Sequence, residues 1–205
     1  MAFSIVVDGH NFINDLHRYG KDKGYILRYL SFPLLQDIIQ ERMRSAGLYS
    51  HPFIRTEFVC SDRGQLGPFK QPERDELVKK LKGELGVTVR EVPQHVSGTV
   101  KEKQKGVDFT VFIRMMTLVK SPVQPYHIAL LASDTDYVPA IRLMTEQGVH
   151  VVIIGFKSKP PLLNEELINE SYLSLDLGEL LKEMEGRIES ATLSREPKVD
   201  DRSTL

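Results

Sequence analysis

The amino-acid sequence predicts an α/β fold, a three-layer α/β/α sandwich built on a mainly parallel central sheet. Short apolar runs without polar alternation recur along the chain. Such runs are typical of strands that are buried on both faces of a parallel sheet. Segments with helical periodicity separate the runs, and this alternation favours right-handed crossovers with helices on both faces of the sheet.

The apolar runs predict six strands, and the periodic segments between them predict five helices. The strands are expected at residues 3–8, 55–60, 87–92, 126–132, 149–154 and 172–175. The helices are expected at residues 31–46, 72–85, 106–119, 136–147 and 176–189. Residues 9–30 show no clean period, so we expect irregular structure there. Residues 61–71 and 93–105 are polar and rich in Lys, Arg, Gly, Pro and Gln, so we expect them to form loops.

The length of 205 residues is sufficient for one sizeable domain with its own core. We assign residues 1–189 to this domain and predict that residues 190–205, rich in Ser, Thr and charged side chains, form a disordered tail. With 27 basic and 28 acidic side chains, the net charge is −1. Because this balance gives no general attraction to nucleic acid, such binding would require a local basic patch.

Cysteine content and hydropathy bound the cellular environment. Cys60 is the single cysteine, so no intrachain disulfide can form, which agrees with a reducing cytoplasm. No apolar run approaches the ~20 residues of a membrane-spanning helix. The N-terminus has no basic segment ahead of its apolar run, so we expect no signal peptide and a cytoplasmic location. The sequence also lacks a glycine-rich phosphate loop, which argues against nucleoside triphosphatases and dinucleotide-binding enzymes.

Four aspartates are placed where a metal-dependent enzyme would need them. Asp8 ends the first apolar run, Asp134 and Asp136 follow the fourth, and Asp108 opens a predicted helix. In an open parallel sheet, ligands bind outside the carboxyl ends of the strands, so these acids can meet in one cleft. Carboxylate oxygens are hard ligands that suit Mg²⁺ or Mn²⁺.

Each of these motifs also has a purely structural interpretation. Asp, Gly and Asn all favour turns, so Asp8-Gly9-His10-Asn11 could be an ordinary turn. Ser133 or Asp134 could cap the helix that follows. An acid in the first helical turn, such as Asp108, is stabilised by the helix dipole. The structural and functional roles are compatible, because a capping aspartate keeps one oxygen free.

Basic side chains near the acids predict contacts with a phosphate backbone. Lys101, Lys103 and Lys105 precede Asp108 in the sequence. Arg63 and Lys70, in the loop after the second strand, could extend the patch. A basic loop beside an acid cluster suits a polyanionic substrate. The alternative is that these side chains are merely solvated.

Three motifs together resemble the NYN family, the LabA-like branch of the PIN-like nucleases, over roughly residues 3–155. Asp8-Gly9-His10-Asn11 is similar to the family's Asp-x-x-Asn element, and Lys105-Gly106-Val107-Asp108 to its Lys-x-x-Asp element. Ser133-Asp134-Thr135-Asp136-Tyr137-Val138-Pro139 resembles Ser-x-Asp-x-Asp-Phe-x-Pro. The alignment of the serine differs and Tyr137 replaces the usual Phe, and we expect both differences to be minor.

The resemblance implies a PIN-like sandwich and divalent-metal-dependent ribonuclease chemistry with Mg²⁺ or Mn²⁺. Asp8, Asp108, Asp134 and Asp136 would hold the metal, Asn11 would orient a ligand, water or phosphate, and Ser133 would hydrogen-bond an acid or a phosphate oxygen. PIN-like relatives often add an acid from an earlier helix, for which Glu41 is a candidate. RNA is the expected partner, and the chain could form a homodimer. Two alternatives stay open, namely a catalytically silent RNA- or partner-binding module and a phosphohydrolase of small phosphoesters.

Overall fold

A computed structural model describes residues 2–48, 52–93, 100–121, 126–158 and 162–193, with the backbone alone at 100–105 and 193. Its six strands form one sheet, and every pairing between them is parallel. The strands are β1 (Phe3–Asp8), β2 (Phe53–Ser61), β3 (Val87–Val92), β4 (His127–Leu131), β5 (His150–Gly155) and β6 (Leu173–Asp176). Each lies within two residues of its predicted bounds, so the predicted α/β class and parallel sheet are confirmed.

The strand order β3-β2-β1-β4-β5-β6 reverses direction between β1 and β4. The chain builds outward from β1 to β3, returns, and then builds outward from β4 to β6. Neighbouring positions such as Phe3 and His127, or Val7 and Leu131, are in register across the reversal. In doubly wound sheets of this order, ligands bind in the crevice at the carboxyl ends of the two strands where the order reverses.

Helices cover both faces of the sheet and complete the three layers. They are α1 (Gly9–Arg18), α2 (Lys23–Tyr29), α3 (Phe32–Ser45), α4 (Gln71–Lys82), α5 (Val100–Val119), α6 (Val138–Glu146), α7 (Glu165–Glu170) and α8 (Leu177–Leu193). Successive residues of β1 serve different cores: Ile5 and Val7 pack with α1–α4 and α8, whereas Val6 packs with α5 and α6. This alternation is the strand period of two, applied to a sheet that is buried on both faces.

The expectation of irregular structure at residues 9–30 is wrong, because this stretch holds α1 and α2. In α1, Phe12, Ile13 and Leu16 are buried at helical spacing. The helix has only ten residues, and α2 has only seven. Polar residues occupy much of α1, so the apolar period is too short to stand out. The short helix α7 was likewise not anticipated.

Two further boundaries differ from the predictions. Helix α5 begins at Val100, so Lys101, Lys103 and Lys105 belong to a helix and not to a loop. The Lys, Glu and Gln residues that suggested a polar loop are also good helix formers, which explains the error. Helix α8 continues to Leu193, four residues beyond its predicted end, and residues 194–205, the rest of the predicted tail, lie outside the described part of the chain.

The remaining predictions of local structure stand with small adjustments. The polar loop after β2 is confirmed between Ser61 and Gln71. The fourth predicted helix begins as a 3-10 turn at Thr135–Tyr137 before α6 starts at Val138. Within the described residues, no helix combines the length and the apolar character needed to cross a membrane.

A buried carboxylate on β2 joins the sheet to α5. Glu57 is fully buried, and its oxygens accept hydrogen bonds from Arg114 of α5 at 2.7 and 2.9 Å and from Arg90 of β3 at 3.1 Å. Arg55 Nε lies 2.9 Å from Glu57 Oε1. Burial acts to raise the pKa of Glu57, but hydrogen bonds from Arg114 and Arg90 outweigh it and hold the pKa below its ordinary value of 4.5. The ionised Glu57 carboxylate therefore holds α5 against the sheet through Arg114.

Replacement of Glu57 by Gln should destabilise the protein by about 1.5–3 kcal/mol at pH 7, because a charged acceptor is lost while the arginines stay partly buried. A depressed pKa stabilises the fold above the ordinary value and loses that effect as pH falls through the folded value. The difference between wild type and Glu57→Gln should therefore shrink below about pH 4. Urea unfolding at several pH values measures this difference in the free energy of unfolding. Replacement of the exposed Glu76 by Gln is the control. A difference independent of pH would contradict the charged pair.

Candidate active site

Asp8 lies at the junction of β1 and α1, at the point where the strand order reverses. It ends β1 and serves as the N-cap of α1, with Oδ1 accepting the backbone N–H of Asn11 at 3.0 Å. Its residue surface is 1% exposed. Burial raises the pKa of this carboxyl, whereas the hydrogen bonds from Asn11 and Tyr137 oppose the rise. The sequence motif is therefore a helix start and not an isolated turn.

Gly9 allows α1 to begin directly against β2. A Cβ atom at this position would lie 2.6 Å from the ring of Phe58 and 2.7 Å from the carbonyl oxygen of Val59. Both distances are too short for any side chain, and the second involves backbone. Glycine at this position therefore permits the close approach of α1 to the sheet and fixes where Asp8 emerges.

A hydrogen-bonded group joins α1 to the segment after β4. Asn11 Oδ1 accepts the backbone N–H of Ser133 at 2.8 Å. The Ser133 hydroxyl lies 2.8 Å from Asn11 Oδ1 and 2.6 Å from Asp15 Oδ2, so it can donate to either oxygen. Asp15 is buried, and burial raises its pKa while the Ser133 hydrogen bond lowers it. These contacts hold the ends of β1 and β4 in one arrangement.

The two aspartates after β4 have different surroundings. Asp134 caps the 3-10 turn, with Oδ1 accepting the backbone N–H of Asp136 at 3.1 Å. It is half-buried, whereas Asp136 is exposed. The predicted capping role of Asp134 is thus present, and its second oxygen takes no part in the cap.

Asp108 reaches the same edge of the sheet from α5. Burial raises its pKa to about 7, and the negative charges of Asp8 and Asp134 add to the rise. A hydrogen bond with the Asp8 carboxyl and the charge of Asp136 act in the same direction. Such a shift is the signature of carboxyl groups crowded in one cleft. The other three aspartates predicted as metal ligands therefore all act electrostatically on Asp108.

The donor set fits a hard dication in its chemistry. Four carboxylates supply oxygen ligands of the kind that Mg²⁺ and Mn²⁺ accept, and a dication would relieve the repulsion that raises the pKa of Asp108. In the side-chain arrangement of the described residues, however, no three His, Cys, Asp or Glu side chains are grouped so that they could hold an ion. The placement of the acids as shared ligands thus stays a prediction.

The basic residues named from the sequence lie in three elements. Arg63 is exposed in the loop after β2, and its carbonyl oxygen accepts the Ser61 hydroxyl at 2.9 Å. That hydroxyl lies 2.8 Å from Nε2 of His10, beside Asp8, so the loop starts at the edge that carries the acids. Lys70 is exposed at the start of α4. Lys101, Lys103 and Lys105 belong to the first turns of α5, and their side chains are outside the described part of the structure.

Comparison with known proteins identifies the family. The model of the NYN domain matches residues 41–176, which is more than half of the chain. The chain belongs to the NYN domain family. The matched range includes Asp108, Asp134 and Asp136, whereas Asp8, Asn11 and Asp15 precede it. The suspected membership in this PIN-like nuclease family is confirmed.

A solved structure supports the fold of this NYN domain. A crystal structure of a protein of unknown function from Vibrio parahaemolyticus superposes with a TM-score of 0.57, covering 86% of this chain and 92% of the other. The two sequences are 15% identical, so the similarity concerns the fold alone. No curated protein matches the chain.

Two residues of this NYN domain site were missed or undervalued from the sequence. Asp15 was not singled out, although it lies one helical turn after Asn11, a spacing that points to one face once α1 is known to be a helix. Tyr137, expected to be a minor replacement of Phe, donates its hydroxyl to Asp8 Oδ2 at 2.8 Å. Glu41 pairs with Arg187 of α8, in the layer opposite α5, and takes no part in this site.

The Tyr137 hydroxyl is a test of the local structure. Phe cannot make its hydrogen bond, and loss of a bond to a buried carboxyl should cost about 1–3 kcal/mol. Tyr137→Phe should therefore lower the melting temperature of the metal-free protein by roughly 2–4 °C for each kcal/mol. Differential scanning fluorimetry in EDTA measures the change. The control Tyr172→Phe removes a hydroxyl from a side chain that is 55% exposed and should change nothing. Equal melting temperatures for the two variants would exclude the proposed support of Asp8.

Proposed function

We propose that this NYN domain is a divalent-metal-dependent ribonuclease that hydrolyses phosphodiester bonds at the junction of β1, β4 and α5. The observation that carries the proposal is the position of Asp108 beside Asp8 and Asp134, where burial and then the negative charges of these two acids raise the Asp108 pKa to about 7. Membership in a PIN-like nuclease family supports the reaction class. The basic stretch before Asp108 supports a polymeric phosphate substrate, and a cytoplasmic location is part of the proposal.

Asp8, Asp108, Asp134 and Asp136 would hold Mg²⁺ or Mn²⁺ in this proposal. When bound, the metal supplies Lewis-acid stabilisation of phosphate charge and lowers the pKa of a water nucleophile. Ionisation of Asp108 would accompany binding, since a ligand carboxyl must be deprotonated. Proton release is therefore expected when the ion is added near neutral pH.

The remaining residues of the site would position the acids. Asn11 and Ser133 join the ends of β1 and β4 through hydrogen bonds of 2.8 Å, and Asp15 takes part in the same group. Asn11 could also orient a water or a phosphate oxygen through its amide nitrogen. The buried site limits access of bulk water to Asp8, which strengthens every electrostatic contact within it. A covalent nucleophile on the protein is not required.

Asp134→Asn is the sharpest test of the chemistry. Asn is as good an N-cap as Asp, so the 3-10 turn and the melting temperature should be retained. Mn²⁺-dependent cleavage of RNA should fall by roughly 10²-fold or more, the scale seen when one charge-stabilising group leaves an active site. The matched control is Glu146→Gln, an exposed acid at the end of α6. Undiminished cleavage by pure Asp134→Asn would remove this site as the source of activity.

A substrate panel with Mn²⁺ separates the alternatives. It comprises single-stranded RNA, duplex RNA, DNA and a chromogenic phosphoester. Cleavage of RNA supports the proposal. Turnover of the phosphoester without RNA cleavage favours a small-molecule phosphohydrolase. Binding of RNA without turnover favours a regulatory module. Size-exclusion chromatography of the same preparation tests the expected homodimer.

The basic start of α5 is tested by salt dependence. Replacing Lys101, Lys103 and Lys105 together by Ala should weaken RNA binding. The log–log slope of binding against salt should become shallower by up to about 0.7 for each lost phosphate contact. The control Lys79→Ala with Lys182→Ala removes exposed charge from α4 and α8. If the triple variant and the control change the slope equally, the predicted contact of these lysines with RNA is wrong.

A further inference from the structure

A small apolar groove opens directly beside the acids. It has a volume of about 350 Å³ and lies between α5 and the start of α6. Its lining includes Asp108, Phe109, Phe112, Asp136, Tyr137 and Pro139. Phe109 is 65% exposed, although it follows Asp108 directly in the chain. This exposed phenyl ring takes no part in either hydrophobic core, so its face is available to a ligand.

We propose that this groove binds one unpaired nucleobase of the RNA strand, stacked on the ring of Phe109. The proposal rests on the proposed function, because the phosphate attached to that nucleotide would lie at the neighbouring acids. Aromatic side chains stack with any base, since every base has a π-face. The groove would thus hold the strand by one base while the acids act on the backbone.

The lining of the groove favours a base over other occupants. Inside the groove, away from a metal held by the acids, an anion would be repelled by Asp108 and Asp136 at the rim, whereas a neutral ring is not. An apolar protein segment would have to cover these carboxylates, and burying unpaired charge is costly. The volume is at the small end of small-molecule sites, about 300–1,000 Å³, which suits a single ring system better than a helix.

Stacking in the groove also selects the state of the substrate. In a duplex both faces of a base are covered by its neighbours, so a base can enter only from a single strand, a loop or a bulge. Splayed bases of single-stranded RNA are commonly bound by stacking on aromatic side chains, and stacking alone tolerates any base. The inference therefore narrows the substrate to unpaired RNA, with little preference for the identity of the stacked base.

The neighbouring turn of α5 supplies a matched control. Ile113 is also exposed, at 42%, and lies four residues after Phe109 on the same side of the helix. It lines a different groove, with Arg55, Met116 and Thr117, that contains none of the acids. Truncation of Ile113 also removes exposed apolar surface from α5, without touching the proposed base site.

The experiment is single-turnover cleavage of a single-stranded RNA with Mn²⁺, in which the protein concentration for half-maximal rate is measured. Phe109→Ala should raise this concentration about 5- to 100-fold, the range found for loss of one stacked base. Phe109→Leu, which stays apolar but cannot stack, should behave like Ala. Phe109→Trp should retain the wild-type value, and Ile113→Ala should change it less than twofold, on the order of measurement error.

Substrates with one abasic nucleotide locate the stacked base. When the abasic nucleotide is moved along the strand, it should raise the half-maximal concentration of the wild-type protein at one position, next to the cleaved bond. At that position Phe109→Ala should cause no further loss, because ring and base form one interaction. Any of three results overturns the inference. They are a half-maximal concentration for Phe109→Ala equal to that of wild type, a value for Phe109→Leu equal to that for Phe109→Trp, and a loss in Phe109→Ala that persists with every abasic substrate. If wild type cleaves RNA and any of these results is found, the inference alone is rejected. If wild type neither cleaves nor binds RNA, the proposed function is rejected together with the inference.

Discussion

Repulsion between carboxyl groups is the constraint on which the site depends. The reversal of strand order brings the ends of β1 and β4 together, and with them Asp8 and Asp134. Asp108 approaches from the opposite side on α5, where burial and then the negative charges of Asp8 and Asp134 raise its pKa to about 7. A chain left to its own electrostatics would separate these groups. Their proximity is therefore maintained by contacts made elsewhere in the fold.

Those contacts differ on the two sides of the cleft. On the α1 side, Asn11 and Ser133 connect the two strand ends through short hydrogen bonds. On the α5 side, Arg114 pairs with the buried Glu57 of β2, six residues along the helix from Asp108. One support is a local network of neutral and charged groups, and the other is a buried ion pair at a distance. Both supports oppose the repulsion between the carboxyl groups, and neither includes any of the four candidate metal ligands.

How much the sequence could predict depends on how far apart in the chain the interacting residues lie. The strands are continuous apolar runs because both faces are buried, so β1 and β4 and the acids at their ends were found from pattern alone. Helices α1 and α2 are short, and α1 carries polar site residues, which hides their period. The hydroxyl of Tyr137 meets Asp8 from 129 positions away. No local pattern contains such a contact, so Tyr137 looked interchangeable with Phe, and Asp15 went unnoticed without its helix.

The crowding at Gly9 determines the direction from which a substrate can reach the cleft. With the α1 backbone pressed against Phe58 and Val59, the α1 wall has no room to swing inward or to admit a strand between itself and β2. Across the cleft, Asp136 and Phe109 are open to solvent. Entry is thus one-sided. In the proposed function, an RNA strand would lie along the α5–α6 rim and present its backbone sideways to the acids, which would constrain the path of the strand before any chemistry begins.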